Sequence, residues 1–67
     1  MMFKKGDVIK VLLNKYQDCL TLDISQDCTL TAFTTDLINM LVHSYGYTNP
    51  KVDCYQHKKH LWILDVN

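Results

Sequence analysis

Three side chains around position 57 are of the types that bind zinc. Cys54, His57 and His60 follow one another at intervals of three residues. A zinc ion needs three or four nitrogen or sulfur ligands that converge tetrahedrally, whereas residues three apart on a strand point to opposite faces. A fourth ligand would also have to come from a distant segment. The spacing therefore favours a buried thiol and two loop histidines over a metal site.

The remaining groups that could perform catalysis lack a supporting motif. Cys28 or Cys54 with His43 and an aspartate would make a nucleophilic triad, but no pattern brings these residues together and no nucleophile elbow is present. Gly6 and Gly46 are the only glycines, so no glycine-rich phosphate loop can form. A chain of 67 residues also has little room for a substrate pocket beside its core. We therefore expect a non-enzymatic protein with no cofactor, metal or small-molecule substrate.

A basic edge is the one nucleic-acid signal. Lys58 and Lys59, flanked by His57 and His60, could join the Lys4-Lys5 pair, and aromatic side chains nearby could stack on single-stranded bases. The overall composition opposes this interpretation. Seven lysines balance seven aspartates, and there is no arginine or glutamate. Non-specific binding depends on a basic excess, and arginine is the commonest reader of guanine.

Length and cysteine usage limit the class of protein. The 67 residues, 48% of them hydrophobic, predict one small domain over residues 1–67. No apolar run is long enough to span a membrane, and no signal peptide is visible. Three cysteines, an odd number, argue against a disulfide framework. We expect reduced thiols and a cytoplasmic location, in the host cytoplasm if the protein is viral.

Two strands are predicted in the first third of the chain. Residues 8–13 are apolar at nearly every position, which is typical of a strand buried on both faces. Residues 19–24 alternate, with Leu20, Leu22 and Ile24 on one face, as expected for a strand with one face in water. The polar break between the two segments predicts a hairpin, and residues 3–7 are interpreted as a polar lead-in.

The middle of the chain changes to a helical period. Apolar residues recur every three or four positions, which predicts an amphipathic helix of about four turns. The apolar stripe consists of Leu30, Phe33, Leu37, Ile38, Leu41, Val42 and Tyr45. Thr29 or Thr31 can cap its start. Gly46 is suited to the left-handed conformation that ends a helix, and Pro50 prevents the helix from resuming.

A second hairpin is predicted after the helix. Residues 51–56 alternate, residues 57–59 form a polar loop, and residues 60–66 are apolar on both faces. The loop length decides where Trp62 points. A loop of two or four residues pairs Tyr55 with Trp62 on the outer face, and one of three or five residues turns Trp62 inward. The inward arrangement is preferred because the set of Trp62, Leu64 and Val66 carries no charge. The other set, which then faces water, includes Asp65.

The element order ββαββ predicts an α+β fold. In one four-stranded sheet with a helix packed across one face, the order 2-1-4-3 places strands 1 and 4 in the centre. These are the two strands that carry apolar residues on both faces. The connection through the helix is then a right-handed crossover between parallel strands. This arrangement resembles the β-grasp fold of ubiquitin-like proteins and of small immunoglobulin-binding bacterial domains. The C-terminus lacks the glycine pair of conjugating modifiers, so that activity is not implied. A small SH3-like barrel with an inserted helix is the alternative.

A sheet with one helix leaves its other face open. That face should carry an apolar stripe whose burial is worth roughly 3–6 kcal/mol, too much for a monomer to leave wet. We expect another protein or a second copy to cover it, or an edge strand to recruit a partner. The expected contact residues are Val8, Lys10, Leu12, Tyr55, Leu61, Trp62 and Ile63.

These features together predict a function class. We expect a stoichiometric inhibitor or adaptor, a kind of small protein common among phage and viral accessory proteins. The alternative is a dimeric nucleic-acid-binding regulator that uses His57, Lys58, Lys59 and His60. Binding of a membrane is not expected.

Overall fold

The computed structural model describes residues 1–67 as six strands, one α-helix and one 3-10 turn. The strands are β1 (Met2–Phe3), β2 (Val8–Leu13), β3 (Asp18–Asp23), β4 (Cys28–Thr29), β5 (Val52–Lys58) and β6 (Leu61–Val66). The helix α1 spans Leu30–Ser44, and the 3-10 turn spans Asn14–Tyr16. The predicted small α+β fold, with one helix and a sheet of four strands, is confirmed.

The main sheet has the order β3-β2-β6-β5. Its two central strands, β2 and β6, pair in parallel with Val8 opposite Leu61 and Leu13 opposite Val66. Each central strand also pairs antiparallel with an edge strand, β2 with β3 and β6 with β5. The apolar sequences of β2 and β6 thus lie where neighbouring strands cover both of their edges.

A second, two-stranded sheet was not expected from the sequence. β1 pairs antiparallel with β4, with Phe3 opposite Cys28. The interpretation of residues 3–7 as a polar lead-in is therefore wrong at its first residue, because Phe3 is completely buried. Its ring makes edge contacts with Phe33 and Trp62, each at a centroid distance of 5.2 Å. Phe3 is therefore part of the core, although Met2 and Lys4 on either side of it are exposed.

The helix begins and ends at the residues that its sequence predicts. Thr29 is the N-cap, and its hydroxyl accepts a hydrogen bond from the Ala32 N–H at 3.1 Å. The chain leaves the helix through Gly46 at a φ of 72°, in the left-handed region that glycine adopts without a steric penalty. The Tyr45 and Tyr47 N–H groups both donate to the Leu41 carbonyl. These two bonds satisfy the Leu41 carbonyl in the last turn of the helix.

The core lies between α1 and one face of the main sheet. On β2, Ile9, Val11 and Leu13 are completely buried, whereas Val8 and Leu12 on the opposite face are half-buried. This alternation confirms which side of β2 meets the core. The remaining buried apolar residues of this cluster are Phe3, Ile24, Leu37, Leu41, Tyr47, Trp62, Leu64 and Val66.

Aromatic side chains close the end of the molecule at the 3-10 turn. Tyr16 makes an edge contact with Tyr47 at 5.6 Å, and its hydroxyl donates to the Tyr45 carbonyl. Lys15 lies over both the Tyr16 and the Tyr47 rings. Burial is the largest of the effects on the Tyr47 phenol, and it raises the pKa of that group. The cluster packs the loop after α1 against the first hairpin.

Candidate functional site

The strand register builds a regular grid of side chains on the open face of the main sheet, the face opposite α1. Because strand neighbours share a face, the middle row contains Thr21, Lys10, Ile63 and Tyr55 in that order. One flanking row contains Asp23, Val8, Leu61 and Lys58. The other contains Cys19, Leu12, Asp65 and Asp53. The structure thus brings six of the seven expected contact residues onto one surface.

Ile63 is the centre of this open face. It is only 8% exposed, although no helix or strand covers the face, because its neighbours on β2 and β5 surround it. One of those neighbours, Tyr55, is 51% exposed, and Val8, Leu12 and Leu61 are half-buried. The exposed Lys10 lies within the apolar stripe. The face is therefore apolar at its centre but less continuously apolar than the sequence suggested.

Trp62 does not belong to the open face. Its side chain points into the core, 8% exposed, where its ring contacts Phe3. The orientation is the inward one preferred from the sequence, and Trp62 is the one expected contact residue that the open face does not carry. The inward orientation follows from a register in which Trp62 pairs with Gln56, two residues along β5 from the inward-facing Cys54. A bulge between Gln56 and Lys58 absorbs the extra loop residue.

Two carboxylates meet at one corner of the open face. Asp53 and Asp65 are direct partners across β5 and β6, and such partners have Cβ atoms about 4.5–5.5 Å apart. Asn14 donates a hydrogen bond to Asp65, but no lysine forms an ion pair with either aspartate. Like charges at this spacing repel each other. This corner is therefore suited to a cationic group supplied from outside.

A buried carboxylate that the sequence reasoning missed organises the end of the sheet near residue 60. Asp7 is 4% exposed and accepts hydrogen bonds from the Lys4 N–H at 3.0 Å and from Trp62 Nε1 at 3.1 Å. The Nδ1 atom of His60 lies 2.9 Å from its other oxygen. The Lys4 N–H above all, and next the His60 ring, hold the pKa of Asp7 below its ordinary value of 3.8, against the effect of burial.

The same carboxylate brings two basic segments together. The Lys4 N–H and His60 both bond to Asp7, and the Val8 N–H donates to the His60 carbonyl. The turn that carries Lys58 and Lys59 therefore lies beside the N-terminal turn that carries Lys4. Lys4 in turn lies 3.9 Å from Asp27, whose carboxylate also accepts from the Lys5 N–H. The two lysine-bearing segments are therefore adjacent, and Asp27 partly neutralises the Lys4-Lys5 pair.

The zinc-type residues do not converge. No group of three or more His, Cys, Asp or Glu side chains is arranged to hold a metal ion. Cys54 is half-buried on β5, where burial raises the pKa of its thiol, and His60 is engaged with Asp7. Cys19, Cys28 and Cys54 are all free thiols. The triad residues weighed in the sequence make no hydrogen bonds with one another.

The comparisons with known proteins leave the site to be interpreted from its own geometry. The single α-helix is too short to cross a membrane. No protein-family model, curated protein or solved structure matches the chain.

Proposed function

We propose that the protein is a small non-enzymatic binding module, a stoichiometric inhibitor or adaptor that docks another protein on the open face of its main sheet. The observation that carries this proposal is the uncovered apolar centre formed by Ile63, Leu12 and Tyr55. An aromatic side chain that is half exposed beside a buried aliphatic one is typical of the central contacts of protein interfaces.

The charges on the open face indicate the chemistry of the partner. Asp53 and Asp65 form the unneutralised corner beside Leu12. A partner that places an apolar side chain over Ile63 and a lysine or arginine over the two aspartates would satisfy both features. Desolvated charge pairs of this kind give an interface its specificity. The expected partner surface is therefore apolar with a basic rim.

A second copy of the chain is the other candidate occupant of this face. A symmetric dimer applies the same surface to itself. A two-fold axis through Ile63 that runs across the strands brings the two copies of Lys10 into contact. An axis that runs along β6 instead brings the two copies of Asp65 into contact. Both arrangements place like charges together, whereas an axis along the diagonal from Leu12 to Ile63 brings Lys10 of each copy onto Asp65 of the other. The oligomeric state therefore decides between a second copy and a different protein.

We also propose that the architecture is β-grasp-like, with the order 2-1-4-3 when the four long strands are numbered along the chain. Support comes from the parallel pair β2 and β6, from the antiparallel edge strands, and from the single helix between the two hairpins. An intracellular, host-cytoplasmic location agrees with the three free thiols.

The L12D variant tests the docking face. The tagged protein is used to purify its partner from the native host, and the partner is then prepared alone and titrated calorimetrically. L12D is expected to weaken binding at least tenfold, because anchor residues contribute about 1–2 kcal/mol or more each. Y55A should weaken it as well. Circular dichroism checks that the helix remains.

V42D is the matched control, because Val42 is an exposed aliphatic residue on α1, 39% exposed, away from the open face. It should leave the affinity within twofold of the wild type. Equal losses in L12D and V42D, or no loss in either, would contradict the proposal. Light scattering that shows a dimer dissociated by L12D would assign the face to a second copy instead.

A second candidate function is supported by the basic edge. Four lysines, at positions 4, 5, 58 and 59, lie on two turns that Asp7 holds side by side. A dimer would double this surface. If it binds single-stranded DNA, the K58E/K59E double variant should abolish a gel shift that the wild type gives at low salt and loses steeply as salt rises. A wild type that gives no shift at low salt excludes this function.

A further inference from the structure

A groove on the opposite side of the molecule from the open face lies between α1 and the edge strand β3. Its volume is about 220 Å³, and its lining residues are Leu22, Phe33, Asp36, Leu37 and Met40. Pockets that enclose small-molecule ligands are larger, about 300–1,000 Å³, and more closed. The size and the four apolar walls are suited to side chains inserted from a neighbouring chain.

The free edge of β3 runs beside this groove. Ile24 exchanges backbone hydrogen bonds with Gly6 and Asp7 on the β2 side, which fixes which residues face β2. By alternation, the backbone groups of Cys19, Thr21 and Asp23 point away from the sheet. The Cys19 N–H is satisfied by the Asp18 side chain at 2.8 Å. The N–H and C=O groups of Thr21 have no partner within the chain.

The other edge of the sheet is protected and β3 is not. Edge strands usually carry lysine, proline or a bulge, which prevent another strand from pairing with them. β5 contains a bulge between Gln56 and Lys58, ends at a lysine, and follows Pro50 closely. β3 has neither lysine, proline nor a bulge. Strand addition is therefore expected at β3.

The electrostatics of the groove select the occupant. The two elements that form it carry Asp18, Asp23 and Asp36, and none of the seven lysines lies on either element. The exposed Asp36 lines the groove itself. An acidic strand would be repelled here, and a basic one attracted.

We propose that the groove and the free edge of β3 bind an extended segment of another protein in which apolar residues alternate with lysine or arginine. The segment adds a fifth strand to the main sheet through Thr21. Because successive side chains of a strand point to opposite faces, its apolar side chains enter the groove over Leu22 and Met40, and its basic side chains lie on the other face, beside Asp23. This is strand addition with side-chain pockets for specificity, at the edge of β3 rather than over the centre of the open face.

A synthetic peptide tests the proposal directly. An acetylated and amidated octapeptide of alternating valine and lysine is titrated into the isotopically labelled protein and followed by NMR. Binding should shift the amide signals of Thr21 and Asp23 and the methyl signals of Leu22 and Met40. The same peptide with glutamate in place of lysine should bind at least tenfold more weakly. Shifts confined to Lys10 and Tyr55, or to β5, would overturn the proposal.

Two variants separate the contributions of backbone and charge. T21P removes only an N–H that points to solvent, which an edge strand tolerates, and it should weaken peptide binding at least tenfold. T21V keeps the N–H and should bind as the wild type does. D23K should weaken binding at least fivefold, and because Asp23 is exposed the fold of this variant should be unchanged. Binding that persists in both T21P and D23K, or a wild type that binds neither peptide at millimolar concentration, would overturn the proposal.

Discussion

Replacing Asp7 with alanine is expected to lower the free energy of unfolding by about 2–4 kcal/mol. The substitution removes an acceptor from the indole N–H of Trp62, which is then buried without a partner, and from the Lys4 N–H. It also frees the His60 ring from the turn that it holds. A domain of this size is stabilised by only about 3–10 kcal/mol in total, so the loss is a large fraction. Urea denaturation at pH 7 measures it.

The same carboxylate gives the stability a pH dependence of known sign. The pKa of Asp7 is lowered in the folded state, so folding favours the ionised form. Its contribution is therefore complete above the unfolded value near 3.8 and is lost as pH falls through the lower folded value. D7N, which cannot titrate, should be less stable than the wild type at pH 7. The difference between the two should shrink as the solution is acidified below about pH 4.

Asp23 provides the control for both measurements, because it is an exposed aspartate at the end of β3 with no hydrogen-bond or ion-pair partner. D23N should change the free energy of unfolding by less than about 0.5 kcal/mol at any pH. If D7A is no less stable than D23N, or if the D7N difference stays constant with pH, the assigned role of Asp7 is wrong.

The F3A variant is expected to lose about 3–5 kcal/mol of stability, the largest effect of any single side chain outside the main sheet and α1. Phe3 is completely buried, and removing its ring opens a cavity between Phe33 and Trp62. It also removes two aromatic edge contacts, which add to the loss of apolar burial. Thermal unfolding followed by Trp62 fluorescence reports the change at the site itself.

Met2 precedes Phe3 on the same short strand but is 43% exposed, so M2A is the matched control. It should cost less than about 1 kcal/mol. F3L, which keeps most of the buried volume, should lie between the two. Equal midpoints for F3A and M2A would show that β1 does not dock against the core.

The parts of the fold that sequence predicts are those with a long, regular period. The helix, its Thr29 cap and its Gly46 end follow from local rules that fifteen consecutive residues obey. The alternation in β3 likewise places Leu20 and Leu22 toward the core. Six or more residues in one pattern leave little freedom for a different interpretation.

The missed features are short or distant in sequence. β1 and β4 have two residues each, too few to show a period, so Phe3 gave no signal of being buried. Asp7 contacts His60 and Trp62, more than fifty positions away. A single aspartate in a polar segment is usually exposed, and only the folded chain shows why this one is not. The available clue was Trp62, because a buried indole N–H usually needs a hydrogen-bond acceptor, which here is Asp7.

The candidate site was predicted in the same uneven way. Alternation along β2 predicted that Val8 and Leu12 lie on the open face. Leu61 and Ile63 lie there too, which follows once it is known which side of β6 faces the core. The inward orientation of Trp62 was preferred only because its set carries no charge, since the pairing of β5 with β6 depends on a bulge that no local pattern indicates. The groove beside β3 requires two elements distant in sequence to meet, so it could not be derived from either alone.

The parallel pairing of β2 with β6 has a consequence for synthesis on the ribosome. The two strands at the middle of the sheet are more than fifty residues apart in the sequence, with Val8 opposite Leu61. The hairpin of β2 and β3 can form as soon as it emerges, but its inner edge stays unpaired until β6 has been translated. Closing so long a loop slows this step, so the nascent sheet depends on β6 for a stable native state.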